Sequence, residues 1–396
     1  MFAVSPSRKD IWDSLQLLES WLERNDYRGY DPFDGLLSYL RPLTFRKRFP
    51  QQVLQQFVRR NPFNLRPLLG IKPQQSSKGM GFIMAGYAQL HALTGDERYR
   101  TKADFCLQWL TGNASPGYQG ACWGNAFDYI SRGSDIPKGA PTIVWSGLIG
   151  HDLIVSYRLL KDERYLALAR RVADFIMKDI PRISTPKGLC LSYVADAELP
   201  VHNSNLLGAR LLAEVYRETS DRALLDLATR AVEYGIACQL PEGSWYYGED
   251  PMYHWIDNWH TAYNLDSLLG YQRSSGDTRF DGAIRKGFAF YERHFFRADG
   301  APRYYWNRDY KFDIQSSSQS IDTLTLFGTE YGRPDLYDLA LRVARWTIRN
   351  MQDTEGYFYL WKNAWFTNTT PTIHWGAATM FHAFAHLLLK DTRHEH

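Results

Sequence analysis

Thr94-Gly-Asp-Glu-Arg-Tyr99 has counterparts in Lys161-Asp-Glu-Arg-Tyr165, Thr219-Ser-Asp-Arg-Ala-Leu224, Ser275-Gly-Asp-Thr-Arg-Phe280 and Tyr331-Gly-Arg-Pro-Asp-Leu336, spaced at roughly sixty residues. Each separates two helix-like segments. Gly or a small polar residue ends the first helix, and Asp or Ser then offers a side-chain oxygen to the free N–H groups of the second. Connections this short join antiparallel neighbours, so the unit is a helical hairpin.

The segment after each punctuation is amphipathic. Tyr165, Leu168, Ala169, Val172, Ala173 and Ile176 fall at helical spacing, opposite Arg170, Arg171, Asp174 and Lys178. The segments before it, such as Gly81 to Leu93 and Trp145 to Leu160, carry few charges, as helices buried on most sides must. Inner helices are expected to begin near Lys78, Thr142, His202, Trp259, Ser316 and Thr372, and outer ones near Glu97, Asp162, Asp221, Thr278 and Asp335. The amphipathic stretch Asp10 to Glu23 supplies the sixth outer helix. Six of each, with the chain ends meeting, predicts an all-α (α/α)6 toroid, where an open solenoid would leave an apolar flank at each end. All of 1–396 is expected to form one domain, with a loop-rich excursion at 26–77. Short β-ribbons are expected at Ser244 to Tyr247 and Tyr357 to Trp361, rimming one mouth.

Composition narrows the function. Net charge is +3 with both signs interspersed, which argues against nucleic acid or an anionic membrane as the main partner. No apolar run approaches about 18 residues, so no membrane span is expected. Four cysteines without a CxxC pair, and an N-terminus without an apolar signal core, point to the cytoplasm. P-loop, GxGxxG, GxSxG and HExxH motifs are missing, and no cofactor or metal is expected. His382 and His386 stand one turn apart on the last inner helix and read as core histidines. The Gln239 and Gln352 turns look like those of triterpene cyclases, but the acidic cluster of that chemistry does not occur.

Polar residues crowd the inner-helix starts. His202, Asn203 and Asn205 open the third; Asp257, His260 and Asn264 the fourth; Asp313, Gln315 and Gln319 the fifth; His374 and Trp375 the sixth. The preceding loops bring Trp245, Tyr247, Glu249, Asp250, Arg303 and Tyr304, and Trp145 opens the second helix. Helix starts converge in a toroid, so His202, His260 and His374 are expected to face one another across a bowl. Polar groups among aromatics form a ligand site, and sugars fit it: hydroxyls bind the polar groups while C–H faces stack on Trp and Tyr. Hydrolysis needs two carboxylates, for which Glu249, Asp250, Asp257 and Asp313 are candidates. A lyase or C5-epimerase needs instead a base beside a uronate carboxyl and a partner for the enolate, for which His202, His260, Tyr247, Tyr304 and Arg303 are candidates.

Tyr27-Arg-Gly-Tyr-Asp-Pro-Phe-Asp-Gly35, His202-Asn-Ser-Asn205, Gly243-Ser-Trp-Tyr-Tyr-Gly248, Trp255-Ile-Asp-Asn-Trp-His260 and Tyr357-Phe-Tyr359 resemble blocks of the six-hairpin proteins of bacterial exopolysaccharide clusters, the VpsJ-type polysaccharide biosynthesis proteins. The resemblance runs along nearly the whole chain. It implies a part in surface-polysaccharide production, with a polysaccharide or oligosaccharide, uronate-containing in one reading, as ligand. Cleavage of a glycosidic bond is the leading expectation, followed by epimerisation and by non-catalytic glycan binding.

Overall fold

The computed structural model describes residues 8–131 and 133–391. Its helices are, in chain order, α1 (Lys9–Arg24), α2 (Arg48–Arg60), α3 (Ser77–Thr94), α4 (Glu97–Gly112), α5 (Ile143–Leu160), α6 (Glu163–Lys178), α7 (His202–Thr219), α8 (Arg222–Ala237), α9 (Asn258–Ser275), α10 (Asp281–His294), α11 (Ile314–Tyr331), α12 (Pro334–Met351) and α13 (Ala378–Asp391). The odd-numbered helices α3 to α13 form an inner ring, each touching the next, and α13 returns to pack on α3. Outside it lie α4, α6, α8, α10 and α12, and α1 packs on α13 as the sixth. The fold is the expected (α/α)6 toroid.

The turns show why the punctuation works. Gly95, Lys161, Ser220, Gly276 and Gly332 end their inner helices in the left-handed conformation. Asp96, Asp162 and Asp221 then accept a backbone N–H from the first turn of the outer helix. The apolar core fills the space between the rings. Inner helices approach closely: a Cβ on Gly150 would lie 2.4 Å from Leu211, and one on Gly86 2.7 Å from Phe381. Ring closure is polar as well, with Ser14 Oγ donating to Gln352 Oε1 at 2.7 Å.

Every connection from outer to inner helix runs to the opposite end, so that mouth carries the loops. Its ribbons are β1 (Tyr129–Ile130) with β2 (Asp135–Ile136), β3 (Arg182–Thr185) with β4 (Gly188–Leu191), and the sheet of β5 (Phe312–Asp313), β6 (Trp361–Lys362) and β7 (Thr367–Asn368). The ribbon expected at Ser244 to Tyr247 does not form, and of Tyr357 to Trp361 only the last residue joins a strand. The reason is packing: Trp245 turns inward against Gly287 and donates Nε1 to the Gly235 carbonyl. The excursion leaves at Gly29, returns at Gln74, and is pinned at its base by a bridge between those residues and another from Tyr30 to Thr372. Within it, α2 lies against β1 at the mouth. Among the described residues no helix is long and apolar enough to cross a membrane.

Candidate functional site

Asp257 fixes the site's central histidine. As N-cap of α9 its Oδ1 accepts the His260 backbone N–H at 3.0 Å. Its Oδ2 accepts Trp255 Nε1 at 2.9 Å and lies 2.7 Å from His260 Nδ1. A carboxylate at Nδ1 places the ring proton there and leaves Nε2 as the basic atom. Nε2 makes no hydrogen bond to a described residue, and the ring is half-buried.

Aromatic rings continue from His260 on both sides. Tyr247 lies 4.5 Å from it, centroid to centroid, and stacks on Trp255 at 4.6 Å. On the other side Trp259 meets Trp375 edge-on at 5.3 Å. Trp375 and His374 sit in a π turn, Ile373–Ala377, that leads into α13, with Trp375 out of helical geometry. His374 meets Trp145 at 5.4 Å, and Lys78 Nζ stands 4.8 Å over Trp145. The first turns of α3, α5, α9 and α13 thereby share one wall of rings.

A second histidine–carboxylate pair stands in that wall. Asp31, from the excursion, places Oδ2 2.8 Å from His374 Nδ1, and both side chains are buried. Burial pushes the Asp31 carboxyl up, but His374, the Phe33 N–H and Lys78 outweigh it and hold it below the usual range. Burial lowers His374, and lowers Lys78 to about 8. Neither ring nitrogen of His374 has a hydrogen-bond partner of good geometry among the described residues, the close Asp31 oxygen included.

Tyr304 completes the rim. Burial raises the phenols of Tyr247 and Tyr304 well above the ordinary value, yet both rings keep accessible surface. Lys311 Nζ stands 5.3 Å over the Tyr304 ring, with burial lowering it to about 8. Arg59 of α2 reaches in from above, 4.3 Å over Phe33 and 5.8 Å over Trp375. Asp313 caps α11 through the Gln315 N–H, and burial raises its carboxyl. Gln315 donates to Tyr263 at 2.9 Å. Asn203 Oδ1, Trp259 Nε1, Asn264 Oδ1 and Gln315 Oε1 are buried without partners, where polar atoms are normally paired.

Other expected residues stand elsewhere. His202 does not share the bowl with His260 and His374: its ring packs on Tyr234 of α8, Nδ1 contacts the Tyr246 carbonyl at 2.7 Å, and Nε2 lies 3.0 Å from Glu249. Glu249 is bound by Lys187 at 3.1 Å; burial raises its carboxyl, but Cys238, Lys187 and His202 outweigh that and lower it. His202, Cys238 and Glu249 are the one group among the described residues with ligand atoms close enough, within 4.8 Å, for a metal ion. Lys187 already neutralises that carboxylate, and burial pushes the Cys238 thiol up, away from the thiolate a metal needs. Asn205 ties Leu191 N–H to the Ala231 carbonyl, Trp245 is core, and Asp250 is an exposed cap. Arg303 binds Asp309 and the His294 and Phe296 carbonyls, so it holds a loop. Asp31, Lys78, Arg59, Trp255, Trp259 and Lys311 were not singled out from sequence.

Below the bowl the axis stays polar. Gln319 donates to Asp266 at 2.8 Å. Asp322, seven residues past Gln315 and so about 10 Å deeper, lies 3.0 Å from both His382 Nδ1 and His386 Nδ1. His151, Arg210 and Glu214 form a neighbouring cluster, with His151 2.9 Å and Arg210 3.0 Å from the Glu214 carboxylate.

No protein-family model matches the chain, and no curated protein matches it in sequence. Solved structures do match in fold. A sugar epimerase from a ruminal bacterium is 14% identical over 82% of this chain and 90% of its own, with a TM-score of 0.59. A GH76 alpha-mannanase of Bacteroides thetaiotaomicron is 13% identical over 80% and 86%, at 0.58. An unsaturated glucuronyl hydrolase of a streptococcus is 11% identical over 98% and 92%, at 0.60. At such identities the likeness is one of fold.

Proposed function

We propose that the protein is a carbohydrate-active enzyme that removes a proton from the carbon beside a uronate carboxylate, in a polysaccharide or oligosaccharide. The observation that carries this reading is the Asp257–His260 pair, with Nδ1 fixed at 2.7 Å, Nε2 bonded to no described residue, and the half-buried ring flanked by Tyr247 and Trp259. A histidine with an oriented ring and a free basic nitrogen is equipped as a general base. Trp145, Trp259, Trp375 and Tyr247 suit the C–H faces of a sugar. Lys78, Lys311 and Arg59 suit its carboxylate. The resemblance to exopolysaccharide proteins supports the substrate class, and toroids acting as epimerase and glucuronyl hydrolase support sugar chemistry on this scaffold.

In the proposed step His260 Nε2 takes the proton, and the C–H electron pair moves into the carboxylate as an enediolate, which the cations neutralise. Protonation on the opposite face inverts the carbon, giving an epimerase. Expulsion of the linked oxygen, protonated by the high-pKa phenol of Tyr304, cleaves the chain as a lyase. Elimination is one form of the expected bond cleavage. Hydrolysis is the second reading, favoured by Asp313, whose raised carboxyl can hold a proton as a general acid.

The test is incubation of uronate oligosaccharides in D₂O. Epimerisation should place deuterium at the carbon beside the carboxylate with inversion, whereas elimination should leave no hydrogen on that carbon and give a new unsaturated end. New reducing ends with neither deuterium nor unsaturation, dependent on Asp313 and indifferent to His260, would replace this reading with hydrolysis.

A further inference from the structure

The helix over the mouth is inside out. α2 packs inward through Gln51, Gln55 and Val58, with Gln55 bonded to Ile130 through both its N–H and its carbonyl. Its outward stripe is Phe49, Val53 and Phe57, at 75%, 52% and 51% exposure. One-turn spacing puts these three on one side. Leu43, Phe45, Phe63 and Leu68, immediately around the helix, are also exposed. Exposed apolar surface so concentrated marks an interaction site.

Charge selects the partner. No acidic residue occurs between Asp34 and Asp96, whereas Arg41, Arg46, Lys47, Arg48, Arg59, Arg60, Arg66 and Lys72 fall within one stretch. Arg41, Arg48 and Arg66 are spent on Asp128, Asp135 and Asp34. Arg46, Lys47, Arg60 and Lys72 are exposed and form no salt bridge to a described residue. A basic rim around an outward Phe and Val stripe is the pattern of a helix lying in the headgroup region of an anionic membrane. Self-association through the same face would set these cations against their own copies. The chain's small net charge conceals the segment, because acidic residues elsewhere cancel it.

We propose that α2 and its flanks dock the protein on an anionic lipid bilayer. The helix is pinned to the mouth loops, through Gln52 and Arg48 to the Ser131 carbonyl and through Asn61 to Asn368. Docking therefore turns the mouth of the ring toward the lipid surface. This goes beyond the proposed reaction and does not depend on it.

The test is flotation of the full chain with vesicles of phosphatidylcholine alone, or with roughly one third phosphatidylglycerol. Partition onto the anionic vesicles should be at least about tenfold stronger, and weaker at high salt. A Phe49→Glu, Phe57→Glu double variant should lose it while melting like wild type. An Arg46→Glu, Lys47→Glu variant should fall to the level of neutral vesicles. No binding to anionic vesicles, partition unchanged in both variants, or a solution dimer that Phe49→Glu dissolves would each overturn the proposal.

Discussion

Asp257–His260 and Asp322–His382–His386 are made of the same side chains on the same ring of helices, yet they are built for different work. The first stands in the first turn of α9, with one imidazole nitrogen fixed and the other bonded to no described residue. The second lies deeper on the axis, where both oxygens of Asp322 are taken and the histidines stand among other charges, His382 buried and His386 half-buried. Depth along the inner helix separates a reactive group from a strut. The mouth receives the long connections and leaves one nitrogen open; on the axis both oxygens of Asp322 are held by histidines.

Breaking the deep set should cost the most. Asp322→Ala leaves His382 and His386 without their anion and should destabilise the fold by about 3–5 kcal/mol in urea unfolding. A loss below about 1 kcal/mol would place the axis among weakly coupled surface pairs.

Next in size is a pH effect from the same set. Burial pulls His382 down, but Asp322 and Asp152 outweigh it and raise it to about 9. The unfolded ring titrates near ~6.5. Its folded pKa is higher, so this stabilisation is fully present below about 6.5 and is lost as pH rises through about 9. Burial raises Asp152 to about 7, which acts in the same direction at lower pH. The Tm difference between wild type and Asp322→Asn should therefore narrow between neutral pH and about 9.5, the lysines that burial lowers being common to both. A difference that stays constant across that window contradicts a charged His382.

The smallest effect belongs to Glu249. It is paired with Lys187 and His202 on the α8 side, away from His260. Glu249→Gln should change stability by less than about 1 kcal/mol and turnover by less than about twofold. A dead enzyme would move the chemistry to the other side of α7.

These contrasts also mark what could be read without coordinates. The ring was legible because its signals are local: a left-handed residue at five inner-helix ends, followed at three of them by an Asp cap one position on. Helix starts came within about three residues for the same reason. The bowl was legible only as a place. His202 and Asn203 are neighbours in sequence, but one residue turns a helix by about 100°, enough to send the first toward Tyr234 and leave the second with a buried, unpartnered oxygen. Asp31 reaches His374 across the whole chain, a pairing that no spacing encodes. The outward stripe of α2 has the same 3.6-residue period as an inward one, so periodicity alone does not tell which side meets the protein.

The most direct measurement is turnover and melting of His260→Asn beside wild type, on the same uronate oligosaccharide. An oriented general base contributes about 10²–10⁴-fold, so turnover should fall by at least about a hundredfold while Tm stays within about 2 °C. Turnover within about tenfold of wild type, or activity lost only in step with Tm, would mean that the Asp257–His260 pair is a helix cap and that the chemistry lies elsewhere.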